Sequence, residues 1–262
     1  MIDLFIIKVG GNVIDNPVLL QSFLENFASI PGKKILIHGG GKIATRIGDK
    51  LGIESKYVNG RRITDAETID IVTMVYGGLV NKQLVAKLQS NGCNAIGMTG
   101  ADANIIPAAK RPVKEIDYGF VGDIDTATVQ AAPLKALLEA GLTPVFAPLT
   151  HDGNGQMLNT NADTIASSLA TALSQYYTVR LIYCFEKKGV LHDADNDDAV
   201  INLIDRQIFK ELLADGVLTD GILPKLENAF AAIESGVNEV LIGHANDVRS
   251  NTTDIIAGTL IR

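Results

Sequence analysis

Residues 4–11, LFIIKVGG, and residues 34–41, KILIHGGG, decide how this chain folds. Each is a short, β-rich apolar run that stops at consecutive glycines, as a buried parallel strand does before it turns into a helix. Between them, residues 16–32, NPVLLQSFLENFASIPG, set Leu20, Phe23, Leu24, Phe27 and Ile30 on one helical stripe. Asn16 is the expected N-cap, with Pro17 in the first turn. A further helical segment, KIATRIGDKLGI, follows the second glycine cluster. Farther along, AAPLKALLEAG, LTPVFAPLT, NADTIASSLATAL, TVRLIYCF, DRQIFKELLADG, LPKLENAFAAIESG and NEVLIGHA keep the alternation of helix and strand. That rhythm predicts an α/β fold: a three-layer αβα open sandwich around a mainly parallel central sheet.

The middle of the chain breaks the rhythm. Thr64-x-x-Glu67 reads as a capping box opening a long helix. Its stripe runs through Ile69, Val72, Val75, Tyr76, Leu79 and Leu84, and Asn91-Gly92 stops it. Gly77-Gly78 inside that helix permit close packing or a bend. From Ala95 to about Asp125 the segments AIGMTG and YGFVGDID read as hairpins rather than as another strand–helix repeat. No low-complexity linker divides the chain, so the expected division, near residues 175–180, is functional and lies inside one continuous sheet.

Composition narrows the function. The 262 residues are 47% hydrophobic and 20% charged, with a formal charge of −7 and no run of five basic residues. That is the make-up of a soluble globular protein, and it lacks the concentrated positive field a nucleic-acid groove needs. Cys93 and Cys184 stand far apart without a CxxC pair, which fits two reduced thiols better than a metal site or a disulfide. The first apolar run is interrupted by Lys8 and carries no signal-peptide pattern, and no stretch reaches the ~18 apolar residues of a membrane span. The expectation is a cytoplasmic protein with neither a membrane nor a nucleic acid as partner.

Consecutive glycines between a strand and a helix let backbone N–H groups converge on an anion beside a helix N-terminus. One such turn is explained by tight packing alone; two within the first 41 residues point to phosphate. GGGKIA, from Gly39 to Ala44, satisfies G-x-G-x-x-A, yet the region where a dinucleotide fold needs a ribose-binding acid is the basic YVNGRRIT. No GxxxxGK[ST], HExxH or GxSxG is present, so P-loop, zinc-hydrolase and serine-hydrolase readings have no support.

Four charged residues fit phosphate chemistry. Lys8 lies in a strand that should be buried, just ahead of Gly10-Gly11, where an unpaired ammonium costs several kcal/mol unless an anion or carboxylate meets it. The alternative is a lysine snorkelling at a strand end. Lys225 falls in the first turn of a helix, the unfavourable end for a cation unless a phosphate is bound there; otherwise it is an exposed helix lysine. Asp163, at the start of another helix, either caps it or holds two lysines in register. Arg62, after NGR, either forms a forked pair with a substrate carboxylate or lies on the surface.

Taken in order, IIKVGGN, IHGGGK, NGRRIT, GFVGDID, GLTPVFAPL, LNTNAD, TDGILPKLENA and the closing GT resemble the amino-acid kinase family essentially from end to end. The resemblance implies ATP as phosphoryl donor, with Mg2+ held mainly by the nucleotide phosphates and no metal site of the protein's own. It implies an acyl-amino-acid-binding and dimerisation lobe over residues 1–176 and a nucleotide-binding lobe over residues 177–262. Lys8 and Lys225 would stabilise the transferring phosphoryl group, with Asp163 organising both. Gly40, Gly41, Arg62 and Asn159 would hold the acyl amino acid. Gly10, Gly11, Glu186, Gly189, Leu191, Val217, Leu218 and Thr219 would hold the nucleotide.

The implied acceptor is the γ-carboxylate of an N-acyl-L-glutamate, N-acetyl-L-glutamate first, in the second step of arginine biosynthesis. N-succinylglutamate, an aminoadipate derivative and a catalytically silent ligand-binding regulatory subunit are the competing readings. Two departures stand out. CFEKKGVL replaces a Ser/Thr-Asp-Val-x-Gly-Val/Ile-Leu pattern, so Glu186 takes the place of the usual aspartate beside Lys187 and Lys188. Arginine-inhibited hexameric members carry an extra N-terminal helix, whereas this sequence begins at its first strand. The expectation is therefore a homodimer without arginine feedback, paired partly through the long helix from Asp65.

Overall fold

The computed structural model of the chain describes residues 2–58, 60–193, 196, 198–218 and 222–262. β1 (Leu4–Val9) is buried along its length and stops at Gly10, where a short helix, α1 (Gly11–Asp15), leads into α2 (Pro17–Ala28). Asn16 caps α2, its side-chain oxygen accepting from Val18 N and Leu19 N at 3.1 Å each, and the stripe from Leu20 to Ile30 is buried. β2 (Lys33–His38) and α3 (Gly41–Lys50) repeat the pattern. A hairpin of β3 (Tyr57–Val58) and β4 (Arg61–Arg62) precedes α4 (Ala66–Val72), a π-helical stretch over Thr73–Val80, and α5 (Asn81–Ser90). Then follow β5 (Ala95–Met98), β6 (Ala109–Lys110), β7 (Gly122–Asp123), α6 (Ala131–Glu139), β8 (Thr143–Phe146), β9 (Leu149–His151) and β10 (Met157–Asn159). The last part holds α7 (Ala162–Leu173), β11 (Val179–Phe185), β12 (Leu203–Ile204), α8 (Arg206–Ala214), α9 (Leu223–Glu234), β13 (Glu239–His244) and β14 (Thr259–Ile261).

Among the described residues the main sheet has the order β12-β14-β13-β11-β1-β2-β8-β5. Its pairs are parallel except β13 with β14. Successive strand residues face opposite sides, so the two faces have separate cores. On one, Leu4 and Ile6 pack with Leu134 and Leu138 of α6, Ile165 and Leu169 of α7, and Leu226 and Phe230 of α9. On the other, Phe5, Ile7 and Val9 pack with Phe23 and Phe27 of α2, Val72 of α4 and Leu84 of α5. Each such side chain contributes ~1.5–3 kcal/mol, so two filled faces pin the register of every central strand. The sheet runs unbroken from β1 to β11, which joins the two halves of the chain. No helix of the described residues is long and apolar enough to cross a membrane.

Two local expectations need correction. Thr64 does not cap α4: it is fully buried, donates its N–H to Tyr118 O and bridges Gly119. The next residue, Asp65, takes the role, accepting from Thr68 N at 2.9 Å. AIGM is not part of a hairpin but β5, parallel to β8 at the sheet edge. Only four residues long and with a glycine inside, it lacks a strand's usual signal. Gly97 is required there, because a Cβ would fall 1.9 Å from Asn81 Oδ1. The hairpin reading does hold for β6 and β7.

Candidate active site

The two glycine turns are neighbours because their strands are. β1 and β2 pair in register through Val9 and His38, so Gly10-Gly11 and Gly39–Gly41 leave the sheet side by side. A Cβ on Gly39 would lie 3.4 Å from Gly11 N. Gly40 has φ 151°, a conformation L side chains rarely adopt, and a Cβ there would come within 3.2 Å of the Tyr76 ring. His38 anchors this second turn. Its Nδ1 donates to Gly39 O at 2.7 Å, while Nε2 accepts from Asn81 Nδ2 at 3.1 Å. Asn81 also donates to Val145 O at 2.8 Å. Complete burial lowers the imidazole to about 4; the bond to Gly39 partly opposes this and the charge of Lys82 adds to it. His38 is thus a neutral strut at neutral pH.

Strand alternation explains the buried ammonium. Lys8 continues the face of Leu4 and Ile6, and that face packs on α7, whose first turn carries Asp163. Lys8 is 8% exposed, and its Nζ forms an ion pair with Asp163 Oδ1 at 2.9 Å. Asn161 caps α7, accepting from Asp163 N and Thr164 N, which leaves the Asp163 carboxylate for the lysine. Lys225, in the first turn of α9, reaches the same place from the other end of the sequence. Its Nζ lies 3.8 Å from the centroid of the Phe185 ring, and Lys8 Nζ lies 5.0 Å from it. Burial lowers the Lys225 pKa; Asp163 raises it, Lys8 lowers it further and Glu186 raises it. Glu186 accepts a hydrogen bond from Asn12, one residue past Gly11. The structure therefore brings together Lys8, Lys225, Asp163, Glu186 and the Gly10 turn.

A cavity of about 290 Å3 adjoins this cluster. Gly40, Gly41, Arg62 and Asn159 all line it, and Asn161, Ala162 and Thr164 form the wall nearest Asp163. Arg62 is 7% exposed. It donates to Ser55 Oγ, to Gly41 O at 2.9 Å and to Thr45 Oγ1 at 2.9 Å, with the Tyr57 ring 4.8 Å away. Asn159 Nδ2 donates to Thr64 Oγ1 at 3.0 Å, so the residue displaced from capping steadies the cavity wall instead. The cavity is lined by glycine backbone and by the side chains of Arg61, Arg62 and Arg111, a setting for a small carboxylate-bearing molecule.

The remaining nucleotide candidates are more dispersed. Gly189 makes room for neighbours: a Cβ would meet Thr259 Oγ1 at 2.7 Å and Val200 Cγ1 at 2.9 Å. Leu191 bridges Val200, and Val217 and Leu218 pack against the α7–α9 core. Thr219 lies outside the described residues.

Sequence reading missed four participants. Tyr76 counted only as part of an apolar stripe, yet the π-helical stretch delivers it over Gly40 and into the cavity wall. Arg111 and Asp123 form a fork on the same wall, with Arg111 Nε 3.0 Å from Asp123 Oδ1, and pairing with Asp123 raises the guanidinium pKa. Phe185 read as strand core. Only the departure of CFEKKGVL from the resembled pattern marked its neighbourhood.

Residues 3–244 match the amino acid kinase family. The chain belongs to that family. It is 61% identical over 246 residues to the acetylglutamate kinase of Cytophaga hutchinsonii, covering 94% of this chain and 92% of the relative. To the acetylglutamate kinase of Bacteroides thetaiotaomicron it is 58% identical, covering 95% and 96%. Carbamate kinase from Giardia lamblia bound to AMP-PNP superposes with a TM-score of 0.69 over 99% of this chain and 98% of that one. At 12% identity that likeness shows the amino-acid kinase fold alone.

Proposed function

We propose that this chain transfers the γ-phosphoryl group of ATP to the γ-carboxylate of N-acetyl-L-glutamate, giving ADP and an acyl phosphate, as a step of arginine biosynthesis in the cytoplasm. One observation carries the reading: Lys8 and Lys225 converge, with Asp163, where two glycine turns meet beside a carboxylate-sized cavity. The relatives named acetylglutamate kinase, matched over nearly their whole length, supply the acceptor.

The chemistry suits the residues. A carboxylate is already ionised at neutral pH, so its oxygen attacks the γ-phosphorus without a general base while the bond to ADP breaks. The obstacle is repulsion between anions, and it is met by alignment and by charge on the equatorial oxygens. Gly10 and Gly11 amides would face the ATP phosphates, and Gly40 and Gly41 amides the γ-carboxylate. Arg62 and Asn159 would hold the α-carboxylate and the acylated nitrogen, and Lys8 and Lys225 the moving phosphoryl group. Asp163 would keep the two ammonium groups in register. Glu186, Gly189, Leu191, Val217, Leu218 and Thr219 would border the nucleotide in a lobe formed by residues 177–262, with residues 1–176 as the acceptor and dimer lobe.

Mg2+ would neutralise the nucleotide phosphates. Asp163 is engaged by Lys8 and Glu186 by Asn12, and no group of three or more acidic, His or Cys side chains among the described residues is arranged for a metal. On this reading the ion is carried on the nucleotide phosphates. The test is ADP release with N-acetyl-L-glutamate, N-succinyl-L-glutamate, free L-glutamate and UMP in parallel. Turnover is expected with N-acetyl-L-glutamate. Absence of ADP with that acceptor, or faster release with N-succinyl-L-glutamate, overturns the assignment.

A further inference from the structure

Two ammonium groups share this site with one carboxylate that pairs directly. Lys8 is paired with Asp163, whereas no ion pair is found for Lys225 among the described residues, and Glu186 is turned to Asn12. The group that Lys225 does meet is the face of Phe185, at 3.8 Å from the ring centroid, and Lys8 stands over the same ring at 5.0 Å. The ring is fixed from several sides. Phe185 ends β11 beside β1, its plane lies 17° from that of Tyr183, and a Cβ on Gly10 would touch its Cδ1 at 3.3 Å.

An aromatic face carries a negative quadrupole that attracts a cation most strongly where water is scarce. It can hold two like charges near each other without forming the strong bonds that a second carboxylate would, bonds an arriving phosphate would have to break. We propose that Phe185 is a positioning residue that holds Lys8 and Lys225 poised at the phosphoryl-transfer point before the nucleotide arrives. The proposal rests on the phosphotransfer reading above, and it accounts for an aromatic where the resembled pattern has Ser or Thr.

The experiment compares Phe185→Leu, which keeps apolar bulk but removes the π face, with Phe185→Tyr, which restores it; folding is checked by melting temperature. Phe185→Leu is expected to lower kcat by about 5–30-fold, the scale of one or two desolvated cation–π contacts. The KM for N-acetyl-L-glutamate should stay near its original value, since the Arg62 cavity lies apart from the ring. Phe185→Tyr should recover most of the lost rate. Full kcat in a folded Phe185→Leu, or an equal loss in Phe185→Tyr, overturns the proposal.

A second readout does not depend on turnover. In protein with 13C-labelled lysine, the ε-methylene signals of Lys8 and Lys225, assigned with Lys8→Arg and Lys225→Arg, should be shifted upfield by the ring current. They should move to ordinary positions in Phe185→Leu and stay shifted in Phe185→Tyr. Ordinary positions in the unmodified protein overturn the poised arrangement. Upfield shifts together with no ADP release from N-acetyl-L-glutamate would instead sink the acceptor assignment and leave the poise intact.

Discussion

Lys225 is the residue whose protonation should be visible in the pH profile. Burial lowers its pKa, so it loses its proton below the ordinary lysine value of 10.5, and the charged form becomes scarce as pH rises through that lowered value. The profile of kcat/KM, which reports the free protein, should fall on the basic side at that point. Bound ATP brings phosphate charge that favours the ammonium, so the basic limb of kcat should lie at higher pH than that of kcat/KM. A kcat limb at or below the kcat/KM limb would contradict the role given to this lysine. At this scale the sequence was informative about charge and poor about aromatics. A lysine in an apolar strand before glycines is conspicuous, whereas Phe185 and Tyr76 have the side chains that any core position takes. Their roles depend on which ring faces which cation or turn, and that is a tertiary fact.

Among the elements, the turn from β2 into α3 has the sharpest requirement. Its strut, His38, has a pKa near 4 in the folded chain against 6.5 when exposed. Between those values the unfolded chain binds more protons than the folded one, so stability rises with pH and is lost as pH falls from 6.5 towards 4. The full loss is on the order of 3 kcal/mol. His38→Gln keeps a polar side chain without the titration. Melting temperatures from pH 7 to pH 4.5 should therefore fall more steeply for the unmodified protein than for His38→Gln, and parallel curves would refute the strut. Element types were largely readable, because the helices carry apolar stripes of period 3.6 and the buried central strands are continuous apolar runs that end at glycines. What failed was local: Thr64 lost its capping role to a tertiary bridge, and β5 is too short and too glycine-bearing to announce itself. The π-helical register across Gly77-Gly78 also has no periodic signature of its own.

For the whole molecule, the sequence indicated a parallel sheet but not its strand order. Neighbour relations such as β1 between β2 and β11 arise from how crossovers stack, not from any single segment. The order matters to function, since it brings a lysine from residue 8 and another from residue 225 to one ring. Assembly also belongs to this scale. Met74 is 56% exposed and Leu79 40%, five residues apart in a helix whose bonding is widened to i→i+5, so they fall near one another on its surface. We propose this surface as part of the homodimer contact. Sedimentation should give twice the 27.9 kDa chain mass, and a Met74→Asp, Leu79→Asp double variant should move towards monomer. A hexamer, a monomeric unmodified protein or an unaffected double variant would count against it, as would arginine raising the half-saturation concentration.

The most direct measurement is the rate of phosphoryl transfer from ATP to N-acetyl-L-glutamate in folded Lys8→Ala and Lys225→Ala, each under saturating substrates. Loss of an electrostatic donor at the transition state is worth ~3–4 kcal/mol, so kcat should fall by about 10²–10³-fold in each variant. Either variant turning over at the rate of the unmodified protein would contradict the claim that these two ammonium groups offset the negative charge of the migrating phosphoryl group.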